Sequence, residues 1–363
     1  MVDLGGRVAA FANPPQNIVG STLFLAYIAL ALYGTTAIST SLYSQYNSIP
    51  TPPSKPTGKP KTKTKPKDKK QTKEPPPPEE SPQNAPQQLQ QQSEQNARKR
   101  HIKIYAFLAS ISFATLSYHM LSFLISSYTA YSGPPKNLHS TPDMTLTSLQ
   151  EWLLHTSLFD TFAKDLVRDG PSAAWTQGAV LATYFWNIWM ADKAQQRSYP
   201  LKTLFPYILL TQILPISLTV SLFIIQLHLT SLHSPSSPPP QPPTTTTTKK
   251  TNPTLPTIIL NASLLALAPL RNHAVFIPLV LLTRFILVTP FSGRVSLRDA
   301  QVVQSIAISG GFVFAQLFMM RKTTSMGEVV RGVWTGREAV KALGWDAQVG
   351  AVVHLVLGWG GGV

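Results

Sequence analysis

Apolar residues in this chain run in long unbroken stretches, with neither the alternation of a half-buried strand nor the one-sided spacing of a soluble helix. Between Arg7 and Lys55 there is no charged residue, and positions 18–42 are almost wholly apolar or small. The pattern returns at 104–131, 173–191, 203–230 and 300–320. Runs of about 18 or more residues with few charges can cross a hydrocarbon layer roughly 30 Å thick as α-helices. Two shorter stretches, 257–270 and 274–290, flank Arg271, Asn272 and His273 and read as a tight helical hairpin, or else as one tilted helix. A last short run covers 347–359.

The expected fold is therefore all-α, a polytopic transmembrane helical bundle of about eight spans, or seven if the hairpin is one helix. The first transmembrane helix falls in 1–47, spans two to four in 98–233 and spans five to eight in 257–363. A signal peptide is the poorer reading of the first run, which is too long and starts too late. Two amphipathic stretches, near 148–168 and 328–345, read as helices lying in the interface. In the first, Ser148 and Glu151 have capping-box spacing.

Two low-complexity inserts break the apolar pattern. Residues 48–97 pass from Pro/Lys-rich to Gln-rich, and 234–256 are Pro- and Thr-rich. Neither buries enough apolar surface to offset ordering entropy, so both are expected to be disordered. The net charge of +15 belongs largely to the first insert and its exit: positions 55–103 hold 13 Lys or Arg against five Asp or Glu. Basic charge here points to topology and to attraction for anionic lipid or partner proteins, not to nucleic acid. With that insert cytoplasmic, an eight-span alternation also puts Lys193, Arg197, Lys202, Arg321 and Lys322 on the cytoplasmic side. The loop 142–170, with Asp143, Glu151, Asp160, Asp165 and Asp169, then faces the other side.

The chain has no cysteine, which excludes disulfides, thiolate metal sites and thiol catalysis. It also lacks an aspartate-rich diphosphate motif, histidine boxes, a Walker A loop and G-x-S-x-G, so no metal or cofactor is expected. His155 and Asp160 share the H-x-x-x-x-D spacing of glycerolipid acyltransferases, but a five-residue offset does not place both on one helix face. Carboxylates outside the inserts are few. Asp160, Asp165 and Asp169 stand at an apolar boundary, where a raised pKa would let one act as general acid on a lipid olefin or epoxide. Asp169 before Gly170-Pro171 is equally a helix-start signal. Asp299 and Asp346 are placed at the starts of the seventh and last spans.

In the third span, Trp175, Gln177, Tyr184, Trp186 and Asn187, with Gln212 in the fourth, are candidates to line a substrate path. Their aromatic faces would stabilise a carbocation. Interhelical hydrogen bonding and an interfacial aromatic belt are the plainer alternatives. Arg284, near the end of its span, reads as snorkelling to the interface. The sequon at Asn261 lies inside an apolar run and is expected to be unused.

The block Trp152…Ser157-Leu-Phe-Asp160…Asp169-Gly-Pro-Ser-Ala-Ala-Trp175-Thr-Gln177…Asn187-Ile-Trp189, then Pro206-Tyr-Ile-Leu-Leu-Thr-Gln212, and the closing Ala342-Leu-Gly-Trp-Asp346 resemble fungal polytopic membrane proteins of secondary-metabolite gene clusters, of indole-diterpene or meroterpenoid type. The resemblance covers about half the chain and carries no catalytic motif. It implies an enzyme or accessory factor acting on an isoprenoid-type lipid in the endoplasmic reticulum. A non-enzymatic scaffold or transporter-like protein is the alternative.

Overall fold

A computed structural model describes residues 17–49, 84–133, 145–213, 215–233, 252–295 and 297–360. These form twelve α-helices: α1 (Ile18–Asn47), α2 (Asn84–Ser132), α3 (Leu146–His155), α4 (Leu158–Asp165), α5 (Gly170–Gln196), α6 (Leu201–Ile213), α7 (Ile216–His233), α8 (Thr254–Leu267), α9 (Phe276–Val288), α10 (Asp299–Met320), α11 (Met326–Thr335) and α12 (Glu338–Gly360). Segments of α1, α2, α10 and α12 are long and apolar enough to cross a membrane, and α7, α8 and α9 contain shorter apolar helices.

Side-chain contacts fix the direction of each helix. Asn17 and Ser21, at the start of α1, bond the carbonyls of Leu154, Thr156 and Leu153 in and after α3. At the other end of α1, Gln45 pairs with Gln226 near the end of α7. Helix α2 runs the opposite way: its His101 ring lies 5.7 Å from His228, and its Trp152 contact comes from Ser127, near its far end. Two faces result. The α3–α4 face holds the starts of α1, α5 and α12 and the ends of α2, α8 and α10. The insert face holds the segments flanking residues 50–83 and 234–251.

The packing is inside-out by the standard of a soluble protein. The buried residues of α10 are Ser305, Ser309 and Gln316, whereas its Val303 and Phe314 are 63% and 70% exposed. Helix α1 likewise turns Leu23, Leu25, Leu32 and Tyr33 outward. Apolar surface this extensive is stable only against lipid, and the polar side chains it would strand there turn into the bundle. Asn261 of α8 is wholly buried and donates to Ser309 at 2.9 Å, so the sequon is sealed between helices.

Helix α7 is the core. Every residue from Ile216 to Leu229 is buried, as expected of a helix apolar on all sides. It packs against α2, α12, α1, α5 and α6, with Phe223 meeting the rings of Trp189, Tyr199 and Tyr207.

The stretch 203–230, expected as one span, is two helices that fold back. Arg197, before α6, donates to the Leu227 carbonyl (2.7 Å) and to Ser231 (2.9 Å), and Tyr199 donates to Thr230. Thus α6 enters and α7 returns by the insert face. This moves everything that follows. Met320 and Thr324 close on Gly170 at the start of α5, so Arg321 and Lys322 lie on the α3–α4 face, opposite the side expected for them.

Other boundaries shift too. Residues 84–97, expected to be disordered, begin the 49-residue helix α2. Residues 254–256 of the second insert likewise begin α8, and insert residues 50–83 and 234–251 lie outside the described ones. The first interfacial stretch is two helices, and its N-cap is Thr145, not Ser148. In the second stretch only α11 is separate, capped by the Ser325–Glu328 box, and the remainder is the first third of α12. Asp346 therefore sits inside a helix, not at a span start.

Candidate functional site

The three boundary carboxylates do not converge. Asp160 pairs with Lys164 one turn along α4, at 2.7 Å. Asp165 ends α4, is nearly buried, and binds Arg337 at 3.1 Å, tying α4 to the start of α12. Asp169 caps α5 by accepting from Ser172 N at 2.9 Å, and Pro171 occupies the first turn, where a missing N–H costs nothing. His155, at the end of α3, contacts the Glu151 carbonyl, so it and Asp160 sit on different helices.

The proposed lining residues of α5 point in several directions because this helix touches most of the bundle. Trp175 donates to the Val329 carbonyl at 2.7 Å and lies close to Gly332, which lets α11 seat against α5. Tyr184 is fully buried against Thr257 of α8 (3.4 Å). Asn187, also fully buried, donates to the Leu287 carbonyl at 2.8 Å, fixing α9. Trp186 packs on Trp189 and His354. Gln177 is buried with its side-chain nitrogen unpartnered among the described residues. These side chains join α5 to different neighbours: Trp175 to α11, Tyr184 to α8, Asn187 to α9 and Trp186 to α12.

Gln212 contributes its backbone. Its carbonyl, in the last turn of α6, accepts from Arg284 at 3.3 Å. On the far side of the turn, Asp346 accepts from Ile216 N (2.9 Å), Ser217 N (3.0 Å) and Ser217 Oγ (2.6 Å). The Arg284 side chain thus closes the carbonyl end of α6 and the Asp346 side chain the amide end of α7, satisfying helix-terminal groups that would otherwise lack partners. The space beside Asp346 is too small for a water molecule. Arg284 and Asp346 thus reach in from α9 and α12 to the two ends of the hairpin.

A cavity of about 480 Å³ lies on the α3–α4 face between the start of α5, the end of α8 and the end of α10. Its polar wall is Arg168, Asp169, Arg271, Asn272 and Gln316. Leu264, Leu265, Met319 and Met320 supply the apolar part. Arg271 donates to the Arg168 carbonyl at 2.8 Å, which holds the two arginines together. Gln316 is 7% exposed, and its side-chain oxygen has no hydrogen-bond partner.

Of the sequence candidates only Asp169 borders this cavity. Arg168, Arg271 and Gln316 were not among those chosen as lining residues. The available signal was the spacing of Ser305, Ser309 and Gln316, which recur on one face of an otherwise apolar helix. Among the described residues no group of His, Asp and Glu could hold a metal ion. No protein-family model, curated protein or solved structure matches the chain.

Proposed function

We propose that this chain is a multi-pass integral membrane protein that receives a lipid-type molecule in the cavity at the start of α5. The observation that carries this reading is the cavity's composition. Polar groups gather at the α3–α4 face, and apolar side chains lead from them toward the lipid-facing sides of α8 and α10. The sequence resemblance supports an isoprenoid-derived molecule as the first to test, with the protein an enzyme or accessory factor in the endoplasmic reticulum membrane of a fungus. A carrier would need charged groups facing a path. Arg284 and Asp346 are instead used at the helix ends of a hairpin, so lipid reception is the better supported reading. A gene-deletion metabolite profile tests it: one accumulated lipophilic precursor is expected, and an unchanged profile would count against it.

If chemistry occurs here, Asp169 is the carboxylate placed to take part. Asn caps helices about as well as Asp, so Asp169→Asn should leave thermal stability unchanged, whereas Asp169→Ala should cost about 1 kcal/mol. Turnover lost in the Asn variant at unchanged melting temperature supports a chemical role. Equal turnover in both restricts Asp169 to capping. Asp160→Ala and Asp165→Ala should leave turnover by the folded fraction unaltered.

For topology we propose seven crossings, by α1, α2, α5, α8, α9, α10 and α12, with the α6–α7 hairpin entering and leaving by the cytoplasmic face. Arg98, Lys99, Arg100, Lys103, Lys193 and Lys202 gather on that face, which supports the assignment. The cysteine-free chain makes the test direct. Cysteines replacing Gln195 and Asn252 should react with an impermeant thiol reagent from one side of sealed vesicles, and one replacing Thr323 from the other. The eight-span alternation requires Gln195 and Thr323 together, with Asn252 opposite.

A further inference from the structure

We infer that the cavity at the start of α5 selects a single-chain amphiphile with an anionic head, carboxylate or phosphate, over its neutral counterpart. This rests on the lipid-receiving reading above and adds the chemistry of the head. Two guanidiniums, Arg168 and Arg271, border the cavity against one carboxylate, Asp169, which leaves a net positive wall. Neither arginine has a carboxylate within ion-pair distance among the described residues. Asp169 is already directed at the first turn of α5 through Ser172 N. The hydrogen bond from Arg271 to the Arg168 carbonyl fixes the Arg271 guanidinium beside the backbone of residue 168 before any ligand arrives. A planar carboxylate or a phosphate satisfies guanidinium donors in pairs, an arrangement a neutral hydroxyl cannot match.

Depth and size define the rest of the molecule. Gln316 lies one helical turn inside Met319 and Met320, and its unpartnered oxygen is a buried acceptor facing no donor. Leaving such an atom unpaired is costly, so a ligand carrying a hydroxyl or amide N–H part-way along its chain gains there. At about 480 Å³ the space is in the lower half of the usual small-molecule range, which suits one chain and not a diacyl lipid. The chain would leave between Leu265 and Met319, where the protein surface is apolar.

The test uses the full-length protein in phosphatidylcholine nanodiscs and three photoreactive probes of one chain length, with carboxylate, phosphate-monoester or alcohol heads. Crosslinks are mapped by mass spectrometry. Labelling of the peptides holding Leu265 and Met319 by the two anionic probes should exceed labelling by the alcohol about ten-fold, equivalent to ~1.4 kcal/mol. The double variant Arg168→Gln/Arg271→Gln should bring the anionic probes down to the alcohol's level. Arg331→Gln, exposed and away from the cavity, should change nothing. Equal labelling by all three heads overturns the head selection and leaves the lipid-receiving reading standing. Failure of every probe to label these peptides overturns both. Excess inorganic phosphate should not displace the anionic probes; full displacement would mark a site for free anions and overturn the inference.

Discussion

Replacing Asp346 with alanine is expected to cost about 2–6 kcal/mol, a large share of the roughly 5–15 kcal/mol that holds a typical domain together. The carboxylate accepts three hydrogen bonds at the start of α7, from Ile216 N, Ser217 N and Ser217 Oγ. Ser217 Oγ also lies 2.6 Å from Ser112 Oγ of α2, so one side chain of α12 organises three helices. Removal would strand two backbone N–H groups at the amide end of a fully buried helix, each costing about 1–3 kcal/mol. The melting temperature in detergent should fall sharply. Asp346→Asn should fall less, since one oxygen remains for Ser217 while its amide nitrogen opposes Ile216 N–H. A melting temperature unchanged in Asp346→Ala would show that the turn holds without its anion.

The second large effect is expected where α12 begins. Glu338 binds His119 of α2 at 2.7 Å and Lys341 one turn along at 2.8 Å, and the His119 side chain is only 9% exposed. Alanine at Glu338 would leave a buried imidazole and a partly buried ammonium without their acceptor, a loss of about 2–3 kcal/mol. A double-mutant cycle of His119→Ala and Glu338→Ala isolates the pair and should give a coupling of about 1–3 kcal/mol. Additivity within a few tenths of a kcal/mol would mean that α2 and α12 are joined by apolar packing alone.

Both effects come from residues that the sequence offered without their partners. His119 falls inside an apolar run, a costly placement in lipid, and Asp346 was expected at the start of the last span. Their partners lie 219 and about 130 positions away along the chain, beyond the reach of any local pattern. The candidate acids show the converse. Asp160 and Asp165 were visible as carboxylates at a boundary, but Lys164 and Arg337 settle what they do, and Arg337 belongs to a segment read as a separate interfacial helix. Asp169 is the exception: its capping role was legible because Asp-Gly-Pro encodes it locally.

The sequence by itself determined the solvent and the fold class. Unbroken apolar runs can be satisfied only as helices in lipid, since every backbone N–H and C=O must then bond within its own segment. It could not determine how many runs cross. Hydropathy measures length and composition, and residues 203–230 have both, yet Arg284 and Asp346 reach in from α9 and α12 to close the helix ends on either side of a turn. That reversal puts the helix ends flanking both inserts on one face and brings the end of α10 against the start of α5. The cavity between them exists only because of it. Arg168, Arg271 and Gln316 come from three segments, and only the tertiary structure makes them neighbours.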